Sequence, residues 1–380
     1  KLGTVDTAPG TSLALQTSIN HQINLVVSDG TLSFWDGGNT ANHGASGTAG
    51  NNVVDGGDGT WTAVNGVGDN NWTNSAGSGN LPWSTGQFAV FEGQAGTVTV
   101  SNRDASGNPA NVTFSGMQFA NNDGGVYKVT GDDLYATTGT TTIRVGDGTS
   151  NGSAITANLD TVINDSNVSG GTSLIKSDAG TLIITKDQTY TGATTIDGGT
   201  LQLGNGGTSG RIASSSAIHN NGILAINHSD AMDIGQVIDG TGSLVQSGSG
   251  TTTLAGLNSY TGSTTISSGT LALNGGAIAA SSGVHNNSIF DVSNATSPSI
   301  QALDGSGSTV LGNNTLVLTN ANSSFGNIYA GVMSGAGGLT VNGGMQTLTG
   351  NNTYTGDTTV AANAGLGLQG KIASALNNAG

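Results

Sequence analysis

The chain has 380 residues, room for two or three ordinary domains or one elongated array; 65 of them are glycine and 8% are charged, about a third of the usual share. Its 23 acidic and 8 basic side chains give a formal charge of -15, which repels phosphate backbones and anionic lipid and argues against nucleic acid or a membrane surface as partner. The absence of cysteine excludes disulfide staples and thiolate sites, and no apolar run is long enough to insert in a bilayer.

Glycine, serine, threonine and asparagine supply most of the polarity. Disordered chains combine low hydrophobicity with high charge, whereas here Val, Ile, Leu and Thr recur in alternating runs between Gly, Asn and Asp turns, so the chain reads as ordered and nearly all β. ALQTSI (14–19) and INLVV (23–27) predict short strands, either first rungs or an N-terminal cap. From Gly30 to Gly93 the character changes. Trp35, Trp61, Trp72 and Trp83 fall here with Phe34, Phe88 and Phe91, among loops such as DGGDGTW (55–61) and NGVGDNNW (65–72). Tryptophans this concentrated have to pack or bind. They either cover the first edge of an open-ended β array or form an aromatic platform for a sugar or a partner chain. Residues 1–93 are assigned to this tryptophan-bearing β region.

TVTVS (97–101), NVTFSGMQF (111–119), VYKVTG (126–131), LYAT (134–137) and TTIRVGDG (141–148) each end in a turn signal. Strands this short at such even spacing suit a barrel, a sandwich or a solenoid, and periodicity alone does not choose. The C-terminal half does. YTGATTIDGGTLQL (190–203) returns as YTGSTTISSGTLAL (260–273) and loosely as YTGDTTVAANAGLGL (354–368). The likeness extends upstream, in TSLIKSDAGTLIITKDQT (172–189) and GSLVQSGSGTTTLAGLNS (242–259), and downstream, in GRIASSSAIHNNGILAIN (210–227) and GAIAASSGVHNNSIFDVS (276–293). The first two tyrosines are 70 residues apart and the second pair 94, counted from Tyr190, Tyr260 and Tyr354. The excess is about one coil of a large parallel β-helix, placed around 311–332. A solenoid absorbs a coil because each rung touches only its neighbours, which a barrel or sandwich does not allow. A solenoid is therefore expected over 94–380, with repeats centred on 180–203, 250–273 and 344–368. The third copy breaks off in GKIASALNNAG (370–380), so the natural chain is expected to continue.

GTLIITKDQTYTGATTIDGGTLQL (180–203), GTTTLAGLNSYTGSTTISSGTLAL (250–273) and GMQTLTGNNTYTGDTTV (344–360) resemble the autotransporter-associated β-strand repeat of Gram-negative type V secretion passengers. The series FWDGG (34–38), GTW (59–61), NNW (70–72), FAVFEG (88–93) and GTVTV (96–100) is similar to the module that precedes such repeats. The resemblance implies a right-handed parallel β-helix passenger at the cell surface or secreted, moved across the outer membrane by a C-terminal barrel of the same precursor whose strands are not in this sequence. It further implies a role in adhesion, aggregation or biofilm formation, with a host matrix protein, a glycan or another copy of the passenger as partner. In that family the repeat serves secretion and folding, which needs stackable rungs and no catalytic group.

Residue chemistry points the same way. Glu92 is the only glutamate, and Asp132 and Asp133, adjacent in GDDLY, would face opposite ways on a strand or be solvated in a turn. GTSNG (148–152) matches G-x-S-x-G without the strand-to-helix context that gives it meaning, so Ser150 reads as a loop serine. Of His21, His43, His219, His228 and His285, two share a repeat position, IHNN and VHNN. That equivalence reads as a structural turn, since a metal site needs converging ligands. DGGDG (55–59) and GDGTSNG (146–152) resemble calcium loops but lack the period of β-rolls and the spacing of an EF-hand, and read as tight turns at rung corners. No cofactor or metal is expected and no catalytic residue is assigned; the candidate ligand-binding set is Trp35, Trp61, Trp72 and Trp83. The leading function is a non-enzymatic adhesin whose outward Thr, Asn and Ser ladders repeat every 4.8 Å or so and bind by many weak contacts. Two rivals stand beside it: a stalk for a functional region elsewhere, and a β-helix glycan-cleaving enzyme, which needs several Asp residues converging on one face.

Overall fold

The computed structural model describes residues 12–16, 24–28, 32–43, 51–63, 70–104, 106–121, 123–321 and 327–378. These are all-β in strands of two to six residues, with one 3₁₀ turn at Ser150–Ala154, and no sheet closes into a barrel. The chain divides into two compact units, residues 1–201 with 214–216, and residues 202–213 with 217–380.

In the first unit the two short strands expected near the start lie at Ser12–Gln16 and Asn24–Ser28 and pair antiparallel as a sheet of their own. The rest of the 14–19 and 23–27 stretches lies outside the described residues. Further on the chain winds. Gly116–Phe119, Val126–Gly131 and Leu134–Ala136 belong to three different sheets, and Thr140–Val145, Thr156–Asp160 and Ile163–Asn164 then visit the same three sheets in the same order. Each strand pairs in parallel with its counterpart one coil later, the geometry of a parallel β-helix. Parallel pairing already joins Leu32–Trp35 to Phe88–Phe91 and Gly59–Thr62 to Thr97–Ser101.

The period of two explains why these residues choose this form. Every second side chain points inward, and in-register stacking puts like on like: Tyr127 on Ala157 on Leu182, and Val129 on Leu159 on Ile184, all buried. Each buried Val, Leu or Ile adds roughly 1.5–3 kcal/mol of burial energy, so a coil of few residues closes on a narrow, largely apolar interior.

The second unit repeats the arrangement with greater regularity. Leu224, Leu244, Thr264, Val284 and Leu303 stack on one face, and Thr252, Leu271, Phe290, Thr309 and Met333 on another. Phe290 and Thr309 are nineteen residues apart, but Thr309 and Met333 are twenty-four apart. The longer coil falls in the stretch singled out from the sequence, part of which (322–326) lies outside the described residues.

The corners depend on backbone conformation. Gly199 and Gly269 hold the same repeat position with φ of 62° and 61°, and a Cβ at either would collide with the carbonyl of Gly180 or Gly250. In the degraded third copy that position is Asn363, with φ 68°, and asparagine is among the few non-glycine residues that tolerate the left-handed region. The turn survives where the motif has drifted.

Candidate functional site

The tryptophan cluster is interior. Trp35 and Trp61 are 0% exposed, Trp83 1% and Trp72 2%. The structure brings all four together with Phe91. Trp72 meets Trp35 at 5.1 Å and 72°, Trp61 at 5.0 Å and 63° and Trp83 at 4.5 Å, and Trp61 meets Trp83 at 4.8 Å. These are edge-to-face and tilted pairs, the arrangements the ring quadrupole favours. Trp35 Nε1 donates to Gly57 O and Trp83 Nε1 to Thr113 O, while Trp61 Nε1 is buried with no partner among the described residues. Rings this enclosed present no face to a sugar or a partner chain. Of the two roles open to them from sequence, the geometry supports packing.

The repeat motif turns alternate letters inward, and the polar ones among these have specific tasks. Tyr260 and Thr264 point into the coil, Tyr260 Oη lies 2.7 Å from Thr264 Oγ1, and Thr264 Oγ1 lies 2.9 Å from Ser281 Oγ, which donates to Gly262 O. The other copies build the same chain of hydroxyls: Tyr190, Thr194 and Ser215, then Tyr354, Thr358 and Ser374. Burial raises all three tyrosine pKa values, the bond to threonine opposing. Two residues before the tyrosine sits a buried amide. Asn258 accepts from Ile238 N in one coil and donates to Ala277 O in the other, and Asn352 does the same between Met333 N and Lys371 O. Gln188 holds this position in the first copy but turns both ends to the coil before, accepting from Ile163 N and donating to Thr161 O. The side-chain amide thus supplies the acceptor for a backbone N–H of the coil before, and in the asparagine copies adds a second donor to a carbonyl that also accepts from the asparagine's own backbone N.

We expect Tyr260→Phe and Thr264→Val each to cost about 1–2 kcal/mol in urea unfolding, because each leaves a buried hydroxyl short of a partner. The double variant should cost clearly less than the sum, since it removes both ends of one bond. Strict additivity would show that the hydroxyls do not act as a pair.

Sequence reading did not anticipate a buried amine. Lys176 is 0% exposed, on the inward side of Ser173–Ser177 between Ile143 and Ile196, and its Nζ donates to Asp178 O at 2.7 Å and Gly198 O at 2.8 Å. Burial lowers its pKa from 10.5 to about 8, with the Asp178 charge opposing. Gln246 occupies the same repeat position and donates to Gly248 O. The signal was present in the alignment of the two copies, in the one charged letter set among alternating apolar ones.

Other singled-out residues are on the surface or at corners. His219 and His285 do not mark a turn, as expected from IHNN and VHNN; they lie on the strands Ile218–Asn220 and Val284–Asn286 and point outward. The turn is made by the asparagines that follow, with Asn220 and Asn286 buried and accepting from Gly222 N and Ser288 N. Each histidine meets an aspartate of the next coil in register: His219 Nδ1 to Asp239 Oδ1 at 2.7 Å, His285 Nδ1 to Asp304 Oδ1 at 2.5 Å. Burial raises the Asp304 pKa, and the His285 bond opposes it. His228 is buried beside Asp230, His43 contacts Gly37 O, and His21 lies outside the described residues. Ser150 is exposed in the 3₁₀ turn. Asp132 and Asp133 sit at a corner, where Asp132 Oδ2 accepts from Asn102 N and Asp133 Oδ2 from Asn164 Nδ2.

The passenger-associated-transport-repeat matches this chain at residues 174–203, 244–273 and 334–362. The adhesin BmaC autotransporter of Brucella suis biovar 1 (strain 1330) is 39% identical over an alignment of 288 residues that covers 70% of this chain and 8% of that protein. The chain therefore spans a small part of the relative's length. No solved structure matches. With three copies of the repeat folded into coils of a parallel β-helix, and with this likeness beside them, the chain belongs to the repeat-bearing passengers of autotransporters, which are exposed on or secreted from Gram-negative bacteria.

Proposed function

We propose that this segment is a non-enzymatic adhesive part of a surface passenger, exported through a C-terminal barrel of the same precursor. One feature carries the reading. Outward positions repeat uncharged polar groups from coil to coil, as in Thr340, Thr359 and Asn377, or Thr251 and Thr270. Such ladders have hydrogen-bonding groups about 4.8 Å apart and little charge, which suits many weak parallel contacts with a glycan, a matrix protein or a second copy. The name of the Brucella relative, an adhesin, agrees with it.

A second reading is favoured by the position of the repeat letters. Asn258, Tyr260 and Thr264 and their counterparts are buried, so these repeated residues build coils and touch no partner. On that reading the segment is a stalk and secretion scaffold for a region elsewhere in the passenger. Cells displaying it on a generic outer-membrane barrel distinguish the two. An adhesive segment makes the cells settle, or hold to immobilised matrix proteins or glycans, several-fold more than cells carrying the barrel alone. Equal behaviour leaves the scaffold.

A further inference from the structure

We propose that the outward face of a short three-stranded sheet in the first unit is a binding site for a neutral saccharide, with Tyr135 as its platform. The proposal rests on the adhesive reading and gives it a ligand class. The sheet is made of Thr113–Phe114, Leu134–Ala136 and Ile163–Asn164, and its inward residues Phe114, Leu134, Ala136 and Ile163 are all buried. Alternation puts Tyr135 and Asp133 on the outer side, with Thr113 paired to Tyr135 in the coil before and Asn164 in the coil after. The only aromatic on this face is thus held half-buried on a rigid floor, flanked by a carboxylate and an amide.

A wall stands beside the floor. Between residues 102 and 112 the chain leaves the coil and doubles back, with Arg103 bridged antiparallel to Pro109, Ala110 N donating to Asn102 O and Asp104 N to Asn108 O. The Asp104 carboxylate accepts from Ser106 N, Asn108 N and Asn108 Nδ2. Asn102 fastens the wall to the floor, donating through its backbone N to Asp132 Oδ2 and through Nδ2 to Asp133 O, and accepting from Val112 N. The cavity between has a volume of about 380 Å³ and is lined by Arg103, Pro109, Asn111, Asp132, Asp133 and Tyr135. That falls in the size range of small-molecule sites, roughly 300–1,000 Å³.

This set matches the two-sided chemistry of a sugar. A pyranose has an apolar C–H face, which lies on an aromatic ring, and a rim of hydroxyls, which needs acceptors and donors held in place. Asp132 and Asp133 each engage a protein donor through Oδ2, which orients the carboxylate and leaves Oδ1 to accept from a hydroxyl. Arg103 Nη1 is held by Gly107 O, with further N–H groups on the guanidinium to donate. Two carboxylates against one guanidinium repel uronic and sialic acids, so the ligand is a neutral hexose or an N-acetylhexosamine. Because the wall is bonded before any ligand arrives, little ordering has to accompany binding.

The test uses the 380-residue segment. It is first applied to an immobilised panel of neutral glycans, then titrated with the disaccharides that bind, by calorimetry and saturation-transfer NMR. Tyr135→Ala is expected to weaken binding about tenfold. Asp133→Asn and Asn111→Ala should weaken it several-fold, with an unchanged far-UV spectrum. Asn111 is exposed, so its variant carries the test if Tyr135→Ala folds poorly. No binding to any neutral glycan, or affinities unchanged in Asn111→Ala and Asp133→Asn, overturns the site. Displayed cells that hold to an unglycosylated matrix protein while the segment ignores sugars would sink this proposal and leave the adhesive reading. Sugar binding without cell attachment would do the reverse.

Discussion

Replacing Trp61 with alanine is expected to destabilise the first unit by about 3–5 kcal/mol, the cost of deleting a fully buried indole from a cluster that cannot collapse around the void. Trp61 touches Trp72, Trp83, Phe91 and Phe114, so its loss strips one wall from each. A control separates shape from hydrogen bonding. Trp61→Phe keeps an aromatic ring and removes an N–H that has no partner among the described residues, whereas Trp35→Phe and Trp83→Phe each break a bond to a carbonyl. Trp61→Phe should therefore be the mildest of the three phenylalanine variants in urea unfolding. If Trp61→Ala costs less than about 1 kcal/mol, the cluster does not form the core of this region.

The second large effect depends on pH. Lys176→Gln should raise the unfolding midpoint below pH 8, and the gain should fade as pH rises toward 10.5. In the folded chain the amine titrates near 8, in the unfolded chain near its ordinary 10.5, so between these values the unfolded state binds more protons. Wild-type stability from this group therefore rises with pH across that window, and below it the whole cost of burying the cation is present. The size is roughly 3 kcal/mol at 1.4 kcal/mol per pH unit. Glutamine keeps a donor for the corner carbonyls, as Gln246 does in the next copy, without the charge. Buried tyrosines also titrate at high pH, which destabilises both proteins, so the quantity to measure is the difference between variant and wild type. A difference constant from pH 6 to 10 would show that Lys176 is not protonated at a cost in the folded state.

Some of this was legible in the residues. The alternating runs give buried and outward positions by geometry alone, and the three YTG copies announce stacking units, because a unit that cannot bury its apolar side by itself has to lie on another like it. Turn chemistry was equally local: Gly199 and Gly269 sit at left-handed corners, as the glycines of TIDGG and TISSG suggest. What the motif letters are for was decided elsewhere. Tyr260 needs Thr264 four residues on, which sequence places nearby, but Thr264 needs Ser281 and Asn258 needs Ile238 and Ala277, each about one coil away. The same separation hides the aspartate partners of His219 and His285.

Sequence by itself determined that the chain is β, repetitive and stackable, since period and turn residues act over a few neighbours. Only the tertiary structure decided what the tryptophans do, because packing and binding use the same residues and differ in what surrounds them. It likewise set Lys176 against two carbonyls and raised a wall beside Tyr135. In a coil of about twenty residues, buried polar groups such as Thr264 and Asn258 find a partner one turn away, at a distance along the chain that no local pattern records.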